Sequence, residues 1–417
     1  MHNYKIWLVK EGEPLPIDGN QRLVRTGSLA AYLAARGYRV TWWASSFIHS
    51  KKEYLINRHS VVQVNANEDI VLLHSPVSYK ENMSPTRIYY SDRLSREFRR
   101  HASDFDCPDL IICSWPTPQF AKEAIRYGGE HGVPVVIDVR DLWPDIYYRA
   151  VPESVRPIAR RAVEFMRHEA SETMRSATAI VGMSEATVKW GCELAGRERT
   201  ELDETIYIGA ARPRYEESIM QETLRCWDDL GVSKETWNMC FFSTLGVHLD
   251  LETVICATQK LICKYPFIRL VIGGRGVDED RLRNIAKDTK QIIFAGWLDE
   301  LKMNSLMSIS KVGLYCIQNT IDFFDTFSNK AIQYLSAGLP IVNSLTGTAA
   351  RLLEKYGCGV TYREGDIDDC AAILESLIND GDKLCVMGAS SLELYEAQFE
   401  LEKVNRQWED FILRVIE

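Results

Sequence analysis

DFFDTFSNKAIQYLSAGLPIVNS, Asp322–Ser344, is the stretch whose reading decides the fold. It follows KVGLYCI (Lys311–Ile317), an apolar run of strand length. Past a polar loop, Ala331, Ile332, Leu335 and Ala337 recur at helical spacing, so a helix begins near Ser328. Gly338 ends that helix, Pro340 forbids its continuation, and Ile341–Asn343 opens another strand. Strand, loop, helix and strand form one right-handed crossover of a parallel sheet. The loop brings backbone N–H groups, with Ser328, Asn329 and Lys330, to a helix N-terminus, an arrangement that holds phosphate. On spacing alone, a Ser-capped helix with a solvated lysine accounts for the same pattern more readily.

The same alternation extends in both directions. Upstream, strands are expected at Tyr4–Val9, Arg39–Ala44, Ile70–His74, Leu110–Cys113, Val133–Val139 and Ala177–Val181, with helical patterns between them. The first of those helices is expected from about Gln21 to Ala35. A mixed polar segment with Gly and Pro, from Ile206 to about Met220, reads as a linker. A second series follows at Met239–Phe242, Ile268–Ile272, Gln291–Phe294, Lys311–Ile317, Leu339–Asn343 and Gly359–Thr361. The last segment, about Ser390 to Ile416, reads as one long amphipathic helix. The fold class is therefore α/β, with two doubly wound halves.

A chain of 417 residues exceeds one ordinary core. No apolar run reaches the roughly 20 residues of a membrane span, and no signal peptide is read at the N-terminus. The eleven cysteines show neither CxxC pairs nor zinc spacing, as expected of reduced thiols in a cytoplasmic protein. The net charge of −9 falls entirely beyond residue 210, so no basic domain suggests nucleic acid as a partner.

VVIDVRDLWPD, Val135–Asp145, is the sharpest signal in the first half. It places Asp138, Arg140 and Asp141 at the C-end of a parallel strand, where ligand crevices lie; a structural Arg–Asp pair beside a Trp-Pro turn is the bland alternative. In PLPIDGNQRLVR (Pro14–Arg25), Gly19 and Asn20 precede a helix, and Arg22 and Arg25 project from its first turns. Ser243-Thr244-Leu245-Gly246 follows a strand of the second half, with His248 just beyond. Arg275, inside Gly273-Gly274-Arg275-Gly276, is a further cation. The Gly-rich turn and the lone His each have ordinary structural readings. Asp104-Phe105-Asp106 and Asp278-Glu279-Asp280 have DxD form but sit in a connection and a first helical turn, as solvated charges do. HExxH, the P-loop and the nucleophile elbow are absent from the sequence. Arg156, Arg160, Arg161 and Arg167, interleaved with Phe165 and Met166, form a basic helical face of the kind anionic lipid attracts; Arg93, Arg96, Arg99 and Arg100 form another.

Asp322–Ser344 resembles the donor-binding segment of the retaining glycosyltransferases of glycosyltransferase family 4. In that family an acidic residue, seven others and a second acidic residue bracket a diphosphate loop, and the second carboxylate holds the ribose. In a bacterial polysaccharide branch the pattern becomes proline-asparagine-lysine, a glutamate-tyrosine-leucine helix, and an Ala-Gly-Leu-Pro turn. Here Asp325, seven residues and Gln333 occupy those places, with Asn329, Lys330, Tyr334 and Ala337-Gly338-Leu339-Pro340 matching. Ser328 replaces the proline and Gln333 the glutamate. VVIDVRDLWPD is similar to the same branch; in the wider family the place of Arg140 is commonly a histidine that contacts the donor sugar.

The resemblance implies GT-B architecture, two Rossmann-like domains facing a central cleft. Residues 1–210 would form the acceptor side, with helix 390–417 crossing back onto it, and 211–389 the donor side. It implies retaining, metal-independent transfer from a nucleotide-diphosphate sugar, expected to be UDP-linked, to a lipid-linked or oligosaccharide acceptor. The product would be bacterial O-antigen, capsule or exopolysaccharide. The implied catalytic positions are Lys330, Asp141, Arg140 and Asp325; the implied donor-binding positions are Gly19, Asn20, Gly246, Arg275, Phe327, Ser328, Asn329 and Gln333. No cofactor is implied, and the location is cytoplasmic, peripheral on the inner face of the membrane. A nucleotide-sugar epimerase shares the architecture, and a non-catalytic partner subunit would accommodate Gln333. Acceptor-independent donor turnover would mark the first; nucleotide binding without transfer would mark the second.

Overall fold

The computed structural model describes residues 4–17, 23–49, 51–81, 84–145, 156–213, 215–320 and 327–417. The chain divides into two compact units, Met1–Ile208 with Val404–Glu417, and Gly209–Lys403.

Unit 1 holds strands β1 (Lys5–Val9), β2 (Arg39–Ser45), β3 (Phe47–Ile48), β4 (Glu53–Tyr54), β5 (Ser60–Asn65), β6 (Glu68–Leu73), β7 (Leu110–Trp115), β8 (Val135–Val139), β9 (Ala179–Gly182) and β10 (Glu204–Thr205). Its helices are α1 (Arg25–Ala35), α2 (Pro85–His101), α3 (Pro118–His131), α4 (Arg156–Ser176) and α5 (Glu185–Ala195). Eight strands form one sheet in the order β10-β9-β8-β7-β1-β2-β6-β5, and β3 and β4 form a separate hairpin. Within the large sheet only β5 runs antiparallel to its neighbour. Successive residues of β1 face opposite cores. Trp7 and Val9 pack with Tyr90, Leu94 and Phe98 of α2, whereas Ile6 and Leu8 pack with Leu29 and Leu33 of α1. Helices on both faces explain why these strands read as unbroken apolar runs. β5 breaks the rule: it lies at the edge, its side chains alternate between half-buried and exposed, and the sequence reading passes over it.

Unit 2 contains α6 (Glu217–Asp228), β11 (Trp237–Phe242), α7 (Leu251–Ile262), β12 (Ile268–Gly273), α8 (Glu279–Ala286), β13 (Ile292–Gly296), α9 (Glu300–Ser308) and β14 (Val312–Tyr315). It continues with α10 (Asn329–Ser336), β15 (Ile341–Asn343), α11 (Thr348–Tyr356), β16 (Gly359–Thr361), α12 (Ile367–Ile378) and α13 (Gly381–Gln398). Its six strands are all parallel, in the order β13-β12-β11-β14-β15-β16. The last helix, α14 (Leu401–Ile416), lies from Val404 onward in unit 1, where Trp408, Phe411 and Ile412 enter the α1-side core.

Two expectations need correction. The first helix begins at Arg25 rather than near Gln21, because Leu23 and Val24 are not helical and Val24 is its extended N-cap. The single helix expected over 390–417 is two helices. Phe399 is fully buried and stacks on Phe327 (ring centroids 5.3 Å apart), and Ala210 bonds across the break to Phe399 and Leu401. Apolar periodicity runs through the interruption and hides it.

β14 and α10 meet because of one missing side chain. A Cβ on Gly313 would lie 2.3–2.6 Å from the Tyr334 ring. That ring is fully buried, and its hydroxyl donates to the Cys240 carbonyl of β11 at 3.2 Å. Glycine here seats α10 on the sheet. Gly313→Ala is expected to lower stability by about 1–3 kcal/mol, measured as a lower midpoint in urea unfolding; an unchanged midpoint would refute this account of the packing.

Candidate functional site

In each unit the strand order reverses beside the first strand. In unit 2, β11 leads to β12 and β13 on one side and has β14, β15 and β16 on the other. Connections at the C-terminal ends of β11 and β14 therefore diverge, opening the crevice where doubly wound sheets bind ligands.

The loops around that crevice are joined by backbone bonds. Gln318 N donates to His248 O (2.9 Å), and Asp250 N to Cys316 O (3.3 Å). Leu245 N donates to Arg275 O at 2.9 Å. The approach is close enough to demand glycine. Gly274 has φ +127°, and a Cβ there would lie 1.8 Å from Ser243 O; one on Gly276 would lie 2.1 Å from Leu245 O. The Gly-Gly-Arg-Gly turn is thus a backbone brace beneath the β11 loop. The Arg275 guanidinium itself is mostly exposed and lies 4.0 Å from Glu279. Gly246 is less constrained: a Cβ there would lie 2.7 Å from the His248 ring, a side chain rather than backbone.

Ser328 is the extended N-cap residue of α10; its side chain caps nothing, and its N–H donates to the Tyr315 hydroxyl at 3.2 Å. The amides of 329–331 begin the helix without intrahelical acceptors. Asn329 is exposed. Lys330 is half-buried, its Nζ 4.0 Å from the Phe241 ring centroid, and it has no carboxylate partner among the described residues. Burial pulls its pKa down to about 8. His248 is also lowered, by burial and then by the charge of Lys330. Gln333 is half-buried on the same helix, and Phe327 is packed between the rings of Tyr315 and Phe399. Asp325, Gly19 and Asn20 lie outside the described residues.

In unit 1 the structure brings together what the sequence shows only in part. Asp138 is fully buried, accepting from Arg25 Nη2 (2.8 Å) and Nε (3.0 Å) and from Arg140 Nε (2.8 Å). Arg140 also bonds Glu13 and the Thr26 hydroxyl (2.8 Å), while Arg25 reaches the Tyr207 carbonyl (2.7 Å). Burial would raise Asp138, but the two guanidiniums overcome it and hold its pKa down at about 2. Glu13 is likewise held low against burial by Arg140 and Lys10. Arg140 is therefore committed to a buried ion network, the arrangement given above as its structural alternative. Asp141 is exposed and lines a cavity of about 130 Å³. Lys10, Glu11 and Glu13, on the loop after β1, escaped the sequence reading; their only signal is position at the C-end of the first strand. Three of the four aspartates in the DxD strings are paired: Asp106 with Lys5, Asp104 with His101 and Asp278 with Arg281. Among the described residues, no three His, Cys, Asp or Glu side chains could hold a metal ion together.

The fold has solved counterparts. Sucrose-phosphate synthase from Thermosynechococcus elongatus superposes with a TM-score of 0.73 at 14% identity, over 99% of each chain. Anabaena HepE in complex with UDP gives 0.68 at 15%, over 99% of this chain and 100% of that one. The fold is that of the GT-B glycosyltransferases. Residues 228–391, most of unit 2, match the family model glycosyl transferases group 1. Among curated relatives, phosphatidyl-myo-inositol mannosyltransferase of Mycolicibacterium smegmatis is 28% identical over 131 residues. That match spans 31% of this chain and only 33% of the relative.

Removing Asp138 leaves two buried guanidiniums facing each other. Asp138→Ala is expected to cost about 3–5 kcal/mol, read as a large fall in unfolding midpoint at pH 7. Because the folded carboxyl titrates below its ordinary range, the stabilisation is complete above about pH 4 and is lost as pH falls toward 2. The gap between wild type and variant should shrink over that window, and a pH-independent gap would contradict the ion network.

Proposed function

We propose that this protein is a retaining, metal-independent glycosyltransferase. It moves a sugar from a nucleotide-diphosphate donor to a lipid-linked glycan of a bacterial surface polysaccharide. The observation that carries the reading is Lys330, a cation half-buried at the switch point, with no carboxylate partner among the described residues and with open helix amides beside it. A group whose charge is unspent, in a place where burial disfavours it, gains most from a dianionic ligand. As the sugar–phosphate bond breaks, negative charge grows on the departing diphosphate. Lys330 and the α10 N-terminus meet it without reorganising. In the family resembled, the leaving phosphate then takes the acceptor proton, so no catalytic carboxylate pair is required. Gln333, one turn into α10, is assigned to the ribose, whose hydroxyls both donate and accept and so suit an amide. The UDP complex of HepE supports a UDP-linked donor. The phosphatidylinositol acceptor in the curated relative's name supports a lipid-linked one.

Among the described residues no helix is long and apolar enough to cross a membrane. Contact with anionic lipid is assigned instead to α4, where Phe165 is 65% exposed and Arg160 and Arg161 are exposed beside it.

In Lys330→Ala, transfer is expected to fall by about 10²-fold or more in kcat, with the fold retained and with wild-type activity insensitive to EDTA. Titration of UDP, GDP and ADP should give affinities that weaken in the wild type as pH rises through about 8, where Lys330 loses its proton. The variant should bind weakly at every pH; normal turnover, or an identical pH profile, would remove the phosphate-loop reading. Separately, Arg161→Glu with Phe165→Asp should abolish sedimentation with anionic vesicles while sparing nucleotide binding. Wild-type protein that ignores such vesicles at low salt would sink the membrane assignment.

A further inference from the structure

α13 and α14 separate at Phe399, although the sequence from Tyr395 to Val404 holds neither proline nor glycine. Sharp helix breaks ordinarily need one of those residues or an inserted group. Here the inserted group is the backbone of Ala210. Its N–H donates to Phe399 O (2.9 Å), and its carbonyl accepts from Leu401 N (3.2 Å) and from the Tyr395 hydroxyl (2.7 Å). The break leaves Phe399 outside the helix with its ring on that of Phe327, the two planes 23° apart. Phe327 also meets the Tyr315 ring edge-on, with centroids 6.2 Å apart. Tyr315 is fully buried; its hydroxyl accepts from Ser328 N, and its ring centroid lies 5.9 Å from Lys330 Nζ. One continuous set of contacts therefore runs from Ala210 through Phe399, Phe327 and Tyr315 to the start of α10.

That start depends on support from elsewhere, because the Ser328 side chain caps nothing. An apolar residue just before an N-cap ordinarily sets the entry angle of the chain by packing on its own helix. Phe327 holds that position, and the ring stacked on it comes from the last residues of the unit. We propose that Phe399 is a positioning residue for the phosphate loop. Through its stack on Phe327 it fixes the backbone entering α10, and with it the aim of the amides of 329–331 and of Lys330. The proposal rests on the assignment of that loop to a diphosphate. A residue that merely fills the core stabilises the empty and the occupied protein alike. One that sets the loop must respond to the ligand, since coupling between two sites is reciprocal. A diphosphate held at Ser328–Lys330 therefore tightens the stack and the break behind it. Ala210 and Leu401, whose amides report that break, lie just inside unit 2. They stand beside the two points where the chain passes between the units, after Ile208 and after Lys403. Occupancy of the loop is thereby registered at both crossings.

The test is residue-resolved hydrogen exchange on the full chain, with and without saturating UDP, GDP or ADP, whichever binds best by titration. In the wild type the nucleotide should slow exchange of the Ala210 and Leu401 amides by about fivefold or more. Phe399→Leu should bind the same nucleotide about three- to tenfold more weakly, the range an aromatic pair spans, and should show no such slowing at saturation. Phe327→Leu removes the other ring and should behave alike. The double variant should lose no more affinity than either single one, because both break one stack. Phe327 is only half-buried, so its variant carries the test if Phe399→Leu does not fold. Nucleotide binding without slower exchange at those amides in the wild type overturns the proposal. So does undiminished affinity in the folded variants, or losses that add in the double variant. A wild type that binds none of the three nucleotides strikes the phosphate-loop reading itself, and this proposal falls with it.

Discussion

The parallel pairing of β11 with both β12 and β14 is the constraint from which the rest of unit 2 follows. Parallel neighbours cannot be joined by a tight turn; each needs a crossover, and every crossover here carries a helix. Loops therefore gather at the C-ends of the strands, and they separate where the strand order reverses. The ligand crevice is a by-product of connectivity. Side chains then refine it: Gly313 lets α10 sit close, Tyr334 ties α10 to β11, and Gly274 and Gly276 bring the β12 turn under the β11 loop.

Each unit has its own switch-point crevice and fills it differently. Unit 2 leaves a cation without a described partner over an aromatic ring, suited to a ligand that brings its own negative charge. Unit 1 balances its ions internally, Arg25 and Arg140 against Asp138 and Glu13, and leaves a carboxylate oxygen over. Both arrangements keep polar groups in sites where water is partly excluded, the condition under which a single hydrogen bond discriminates most.

Much of this was legible in the sequence. The strand series, the Gly338–Pro340 stop and the helix start at Ser328 were readable because parallel strands covered on both faces are continuously apolar and their breaks are chemically marked. Edge strand β5 was not, since half its side chains face water and its run is short. The split between α13 and α14 was hidden because Phe399 keeps the helical period while leaving the helix. Local pattern put Lys330 in the first turn of a helix and Gly246 just past a strand; the brace at Gly274 was not readable, because its reason is the Ser243 carbonyl of another loop. The role of Arg140 depends on Glu13 and Thr26, contacts that span more than 100 residues. Glu11 carried no motif at all; only its lack of a partner in three dimensions singles it out.

The position of α14 bears on how the chain is made. The core that contains Ile6, Leu8 and Leu29 also contains Trp408, Phe411 and Ile412, and the Trp408 ring lies under the guanidinium of Arg25 at 4.9 Å. Ribosomes add about 5–20 residues per second, and domains ordinarily fold in the order of synthesis. Here the first unit to emerge cannot close its core until nearly two hundred residues of the second have been made. For that interval its α1 face is bare, with the Arg25–Asp138 pair still open on one side. The order of completion is thus the reverse of the order of translation, and unit 2 is free to finish first.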